Sequence, residues 1–250
     1  MAALRLVRHA TLLLELAGTT FLADPMLDPA GARPPIAGTP NARRNPLVEL
    51  PVPAREVVSA ADAVLVTHLH QDHLDDLAER LAGEAGLPVL CQPGDGPALR
   101  ERGLLDVTEV APRATYGGVE VNRTGGRHGH GELAAKMGQV SGFVLSAPGE
   151  PTVYIAGDTV WCDEVDAALT GHRPDVVVVN AGAATFTGAP PITMDAADVL
   201  RVAAAAPDAL VVAVHLEAIN HCIEDRQALR ASVDGRRVAV PEDGETVDLR

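Results

Sequence analysis

The sequence predicts an α+β fold of two mixed β-sheets packed face to face, with helices on the outer faces. Two observations point there. Hairpin signals and helical crossovers alternate in both halves of the chain, and runs such as Ala63 to Thr67, Asp175 to Asn180 and Leu210 to His215 read as buried strands. With 250 residues, 47% of them hydrophobic, the chain can bury a sizeable core. No linker splits it cleanly, so residues 1–250 are expected to form a single domain.

In order, Ala3 to Arg8, Thr11 to Ala17 and Thr20 to Ala23 read as a β-meander turning at Gly18-Thr19. From Asp24 to Pro53 the chain changes character, and Pro25, Pro29, Pro34, Pro35, Pro40 and Pro46 break any regular element. A loop of that length inside a compact domain is usually functional or mobile. After the strand Ala63 to Thr67, Leu74, Leu77, Ala78 and Leu81 have helical spacing over Leu74 to Ala85. Pro88 to Gln92 is a strand, Gly96 to Arg102 a short helix and Asp106 to Val110 a strand. Gly117-Gly118 turns into the strand Val119 to Arg123. Gly142 to Ala147 and Thr152 to Ala156 flank Pro148-Gly149 as a hairpin. Asp163 to Thr170 is helical. Thr193 is a plausible N-cap for a helix that stops before Pro207, with Asp195 in its first turn. Asp225 to Val233 is the last helix and Arg237 to Val240 the last strand.

Composition excludes several classes. The net charge of −14 argues against wide contact with nucleic acid or an anionic membrane, since phosphate binding needs clustered cations. No apolar run reaches the ~18 residues of a membrane span, and the first seventeen residues lack the pattern of a signal peptide. Cys91, Cys162 and Cys222 are too few for a disulfide framework, which points to a reducing, cytoplasmic setting.

The chemistry lies in the histidines. Three of the nine fall in Thr67-His68-Leu69-His70-Gln71-Asp72-His73, directly after the apolar run Ala63 to Val66. His68 and His70 are two apart, so in extended backbone they point the same way. Asp72 and His73 come as the chain turns into a helix and can face a point beside the first pair. Imidazole and carboxylate suit zinc and related divalent ions, and four such groups within six residues can serve two adjacent metals. A solvated loop that merely contains His and Asp is the plainer reading of any one of them, but not of H-x-H-x-D-H at a strand-to-helix junction.

This chain resembles the metallo-β-lactamase-fold metallohydrolases. Thr67 to Asp75, THLHQDHLD, matches that family's signature in order and spacing. Arg8-His9-Ala10-Thr11, with Leu22-Ala23-Asp24-Pro25 after it, is similar to the branch containing L-ascorbate-6-phosphate lactonase-like proteins. The resemblance implies an αββα sandwich with a metal site at one edge of the two sheets. It also implies further ligands. His128, which comes straight out of the strand and turn before it, is preferred to His130, a loop or substrate-facing residue. Asp158 lies in a Gly-Asp-Thr motif, where its carboxylate can bridge two cations. His215, at a buried strand end, is preferred to His221. One metal would then be held by His68, His70 and His128, the other by Asp72, His73 and His215, with Asp158 between them. Asp24 is placed to accept a hydrogen bond from a ligand histidine. His9 is a core or turn histidine with a modest case for a place beside the site, and His172 an exposed residue at a helix end.

Two divalent cations, Zn²⁺ first and Mn²⁺ or Fe²⁺ as alternatives, lower the pKa of a bridging water and supply hydroxide near neutral pH. The expected activity is therefore hydrolysis of a small ester, lactone or phosphodiester. Asp72, His130 or His221 is the candidate proton donor to the leaving group. Arg33, Arg43, Arg44, Arg123 and Arg127 are candidates to clamp an anionic small-molecule substrate, although ordinary surface arginines are the plainer reading of each. The competing classes are an iron-dependent oxygenase or oxidoreductase on the same fold and a non-catalytic metal-binding protein. An oligomer is compatible with the sequence.

Overall fold

The computed structural model describes residues 2–249. The chain begins with β1 (Ala3–Arg8), β2 (Thr11–Leu16) and β3 (Thr19–Ala23), each antiparallel to the next. Leu12, Leu14 and Leu16 point into one apolar cluster, while Leu13 packs on the opposite side. That is the period of two expected of a strand. No helix or multi-residue strand interrupts 24–53. Then come α1 (Ala54–Ser59), β4 (Ala63–Val66), α2 (Asp76–Ala85), β5 (Val89–Cys91), α3 (Gly96–Glu101) and β6 (Val107–Glu109). The second half holds β7 (Arg113–Tyr116), β8 (Val119–Thr124), α4 (Gly131–Met137), β9 (Gly142–Ser146), β10 (Val153–Ile155), α5 (Asp163–His172) and β11 (Val176–Asn180). It ends with α6 (Ala196–Ala205), β12 (Leu210–Val214), α7 (Arg226–Ser232), β13 (Val238–Ala239) and β14 (Thr246–Asp248).

Among the described residues these strands form two seven-stranded sheets, ordered β14-β1-β2-β3-β4-β5-β6 and β13-β12-β11-β10-β9-β8-β7. Both sheets are mixed in the same way. The first pairs antiparallel from β14 to β3 and parallel from β3 to β6. The second pairs antiparallel from β7 to β10 and parallel from β10 to β13. This is the layered α+β architecture that the sequence predicts.

The parallel strands are apolar on both faces because both faces are covered. Leu65 of β4, Val178 of β11 and Val212 and Val214 of β12 meet in the cluster between the sheets. Val64 and Val66 face outward onto Ala78, Leu81 and Leu99 of α2 and α3. Val177, Val179, Val211 and Ala213 face outward onto Val165, Val199 and Leu229 of α5, α6 and α7. Each buried valine or leucine among them contributes about 1.5–3 kcal/mol.

The proline-rich segment is tied down by Arg8, which is fully buried. Its Nη1 donates to Val48 O at 3.0 Å, and its Nη2 to Met26 O at 2.7 Å and Asp28 O at 2.9 Å. Burial lowers the guanidinium to about 10, against the raising fields of Asp75 and Asp243, so it stays charged at neutral pH.

Several elements differ from expectation. The cap of α6 is Asp195, whose side chain accepts from Asp198 N, rather than Thr193. Thr193 is buried, and its hydroxyl accepts from Ala184 N. The sequence also gives no sign of α1, β7, α4 or β14. Of these, α1 is a six-residue helix and β14 a three-residue strand. β7 alternates only between exposed and half-buried residues, and α4 buries none of its residues. None carries an apolar period long enough to read. Among the described residues no helix is long and apolar enough to cross a membrane.

Replacing Arg8 by Met keeps bulk but leaves three carbonyls, that of Met26 fully buried, without their donor. The expected loss is about 2–4 kcal/mol of unfolding free energy, measured as a lower urea midpoint at unchanged slope.

Candidate metal centre

The strands end on one shared edge, and the polar residues stand where they end. β1 turns through His9, β3 ends into Asp24, β4 into Thr67 and His68, β10 toward Asp158, and β12 into His215. His128 follows β8. His9, Asp24 and His215 have φ of 62°, 44° and 69°, the left-handed region that non-glycine residues rarely adopt. Strain of this kind persists where surrounding structure over-determines it, and it gathers at functional sites.

Three groups of ligand atoms converge there, with the atoms of each group within 4.8 Å of one another: His9, Asp72, His73 and His215; His68, His70 and His128; and His68, His73 and Asp158. Asp158 lies between the first two groups. Its Oδ1 is 3.2 Å from His73 Nε2 and 3.4 Å from His215 Nε2, and its Oδ2 is 3.4 Å from His128 Nε2. Asp72 Oδ2 is 3.4 Å from His9 Nε2 and 3.7 Å from His215 Nε2. His68 Nε2 and His70 Nδ1 are 2.9 Å apart.

A second ring of contacts turns these side chains inward. Asp24 accepts from Thr67 N at 2.8 Å and Thr67 Oγ1 at 2.7 Å, and sits 2.8 Å from His73 Nδ1. The role proposed for Asp24 from sequence is thus the contact observed. Ile192 O receives His128 Nδ1 at 2.8 Å, and Asn180 Nδ2 donates to Asp158 Oδ1 at 2.6 Å. Cys222 Sγ lies 3.5 Å from His215 Nδ1. Partners on Nδ1 fix the tautomer and leave Nε2 facing the centre.

The electrostatics ask for positive charge. Burial alone would raise Asp158 and Asp72, but the neighbouring imidazoles hold both well below the usual carboxylate range. Burial would lower His73 and His215, yet Asp158 and the other carboxylates outweigh it. His73 is raised well above its ordinary value and His215 to about 10. His68, facing mainly other histidines, is pushed well below by burial and by His73. The buried Nε2 atoms of His73 and His215 have no well-formed hydrogen bond. A buried set of imidazoles and carboxylates with outward-held Nδ1 atoms and unsatisfied Nε2 atoms fits divalent cations, which would take the place of the protons.

A cavity of about 360 Å³ opens over this centre, with His70, Asp72, His128 and Asp158 in its wall. His221 also lines it, 5% exposed, with Nδ1 unpartnered. Burial lowers that imidazole to about 4. His130 stands apart, exposed at the N-cap of α4. Of the five arginines, Arg33 alone reaches the cavity. It forks onto Asp28 at 2.6 and 2.7 Å and donates to Gln71 O. Arg123 bonds Ser141, Arg127 pairs with Glu164, and Arg44 bonds Gly31 and Ala32 carbonyls. Sequence reasoning gave His9 too small a part, since its ring lies 3.7 Å from that of His215. It also missed Asn180 and gave Cys222 no place at the site. Only the tight turn around His9 carried a local signal.

Comparison with known proteins identifies the family. Residues 19–216 match the family model described as "Beta-lactamase superfamily domain". The chain belongs to the β-lactamase superfamily. Within it, the chain is 34% identical over 249 residues to UPF0173 protein YddR of Bacillus subtilis, covering 96% of this chain and 97% of YddR. Other UPF0173 relatives are named metal-dependent hydrolases. Among solved structures, a possible metal-dependent hydrolase from Veillonella parvula superposes with a TM-score of 0.94 at 36% identity, covering 99% of both chains. The isothiocyanate hydrolase from Delia radicum gut bacteria gives 0.91 at 35% identity, covering 98% of both. The superfamily fold and a metal-dependent hydrolase family are thereby shown for this chain. The lactonase-like branch stays an expectation from the sequence.

Two outcomes follow. Asp24→Asn removes the acceptor for His73 Nδ1, and metal affinity should fall about 10–100-fold in chelator competition. His221 has a folded pKa of about 4, below its ordinary 6.5, so the unfolded chain takes the proton first. The stability it contributes is present above pH 6.5 and is lost as pH falls through 4, up to about 3 kcal/mol. His221→Gln should flatten that part of the acid-denaturation curve.

Proposed function

We propose that the protein is a dinuclear metal-dependent hydrolase of small, neutral electrophiles. His68, His70 and His128 would hold one cation, Asp72, His73 and His215 the other, and Asp158 both. The observation that carries this reading is the position of Asp158, which turns one oxygen to each histidine group. Zinc suits the imidazole and carboxylate donors best, with manganese or iron as alternatives. Such ions, when bound, lower the pKa of water and polarise an electrophile.

The chain's own residues do the rest. Asn180 holds the Asp158 carboxylate in place. Asp72, 12% exposed at the cavity wall, is placed to move a proton between water and leaving atom. His221 stays neutral and offers an N–H donor to substrate, a role for which His130 is too far out.

Arg33 is paired with Asp28 and Asp75 and donates to Gln71 O, so its charge is already met, and much of the remaining lining is apolar. That favours a neutral substrate over the anionic one that the arginines suggested. Esters and lactones qualify. So do isothiocyanates, the substrate class named for the relative from Delia radicum gut bacteria. With an isothiocyanate, water oxygen bonds to the central carbon and a proton reaches nitrogen. The thiocarbamic acid so formed breaks down to an amine and carbonyl sulfide. A small molecule, rather than nucleic acid or membrane, is the partner, and the cytoplasm the place of action.

The test is turnover of benzyl isothiocyanate and phenyl acetate by the zinc-loaded protein, followed as amine and phenol release. Activity should vanish on chelation and return with metal. His70→Ala should lose most metal and nearly all activity. Full occupancy with normal turnover in that variant would overturn the ligand set.

A further inference from the structure

The residue just before His221 does something the hydrolytic centre does not require. Asn220 is completely buried, and its side chain reaches across to the proline-rich segment between β3 and α1. Its Oδ1 accepts from Ile36 N at 3.0 Å and from Asn45 Nδ2 at 2.7 Å. Its Nδ2 donates to Thr39 Oγ1 at 2.7 Å, to Asn41 O at 2.5 Å and, more weakly, to Ile36 O at 3.2 Å. Its backbone N–H donates to Asn45 Oδ1 at 2.8 Å. Asn45 is itself buried and exchanges both backbone hydrogen bonds with Arg33, so residues 33–45 close on themselves. One amide pair thus fixes a stretch of chain whose prolines preclude a ladder of its own.

That stretch is the roof of the cavity. Pro34, Pro35, Ile36, Asn45 and Pro46 line it from above. Met26, Ile219 and Ile192 are buried elsewhere in the wall, and Met137 and Phe186 line it half-buried. Met26, Ala218 and Ile219 form an apolar cluster with Ile36 packed on it, so the roof is seated on the segment that carries Asn220. The charged atoms in the wall belong to the metal centre or to Arg33, whose charge is met by Asp28 and Asp75. Away from the centre the cavity therefore offers hydrocarbon and sulfur surface.

We propose that the Asn45–Asn220 amide pair is a specificity device: it latches the proline-rich segment as the roof of an apolar subsite that receives the aryl or alkyl tail of a neutral substrate. The proposal rests on the hydrolase reading only for which end of the ligand reacts. Asn220 touches neither the reacting atoms nor the tail; it is a positioning residue. Truncating it leaves Asn45 Nδ2 and the Ile36 N–H without their shared acceptor, while Asn45 Oδ1 keeps the Asn220 backbone N–H, and the roof loses its fixed shape.

The chain's methionines allow a test that needs no turnover. Met26 and Met137 line the cavity, whereas Met194 is buried in the outer cluster beneath α6. In zinc-loaded protein carrying methyl-¹³C methionine, phenethyl alcohol is titrated in as probe, with ethanol as the tail-less control. The Met26 and Met137 signals should shift saturably with phenethyl alcohol and not with ethanol at the same concentration, while Met194 stays put. Asn220→Ala should weaken phenethyl alcohol binding about fivefold or more at unchanged zinc content. If that variant does not fold, Thr39→Val decides, because it removes one half-buried acceptor of the Asn220 amide, together with the hydroxyl's own bonds to Ile36 O and Asn41 O within the roof, and nothing from the core. Weaker probe binding by Thr39→Val supports the latch. Still Met26 and Met137 signals, or wild-type affinity in the folded variants, overturn it. Failure of catalysis with intact probe binding would fall on the hydrolase reading instead.

Discussion

The structure depends on what becomes of negative charge buried among imidazoles. Asp158 is buried and Asp72 is largely covered at the cavity wall, and both are held as carboxylates by the histidines around them. An ionised carboxylate in a dry interior is costly unless it is paired. The fold meets this by surrounding both with His9, His73, His128 and His215 rather than with lysine or arginine. Imidazoles can shed their protons, so the same pocket accepts protons or divalent cations in exchange. A guanidinium in the same place would close the site for good.

The two sheets make the arrangement affordable in geometric terms. Parallel strands covered on both faces are rigid, and their ends fall on one edge. Each strand then needs only to deliver one side chain at its last residue or just beyond. The backbone accepts left-handed conformations at His9, Asp24 and His215 to do so. Asp24 ties the first sheet's β3 and β4 together through Thr67 while also holding His73. Packing, backbone strain and ligand orientation meet in that one carboxylate. The proline-rich segment adds what the sheets lack, an apolar roof, and it is held near both ends by Arg8 and across its middle by Asn220.

What could be seen in the sequence was local. The pattern from His68 to His73 carries its own geometry, because alternation along extended chain and the turn into α2 fix where the side chains point. Strands β4, β11 and β12 were visible because both of their faces are apolar. The short elements α1, β7, α4 and β14 were not. They take their place from neighbours rather than from a period of their own. His9 was underweighted for the same reason: its closeness to His215 and Asp72 arises from contacts across most of the chain. The Asn45–Asn220 pair spans 175 residues, and nothing near either asparagine marks it. The proline-rich stretch was read rightly as a loop, but its ordered shape depends on a side chain near the far end of the sequence.

The most direct measurement of the central claim is a metal count on purified protein, by elemental analysis against protein concentration, for the wild type and for Asp158→Ala. The account expects two divalent ions per chain in the wild type and the loss of both together when the shared carboxylate is gone. A metal-free wild type that cannot be loaded, or an Asp158→Ala protein that keeps a full pair of ions, would contradict it.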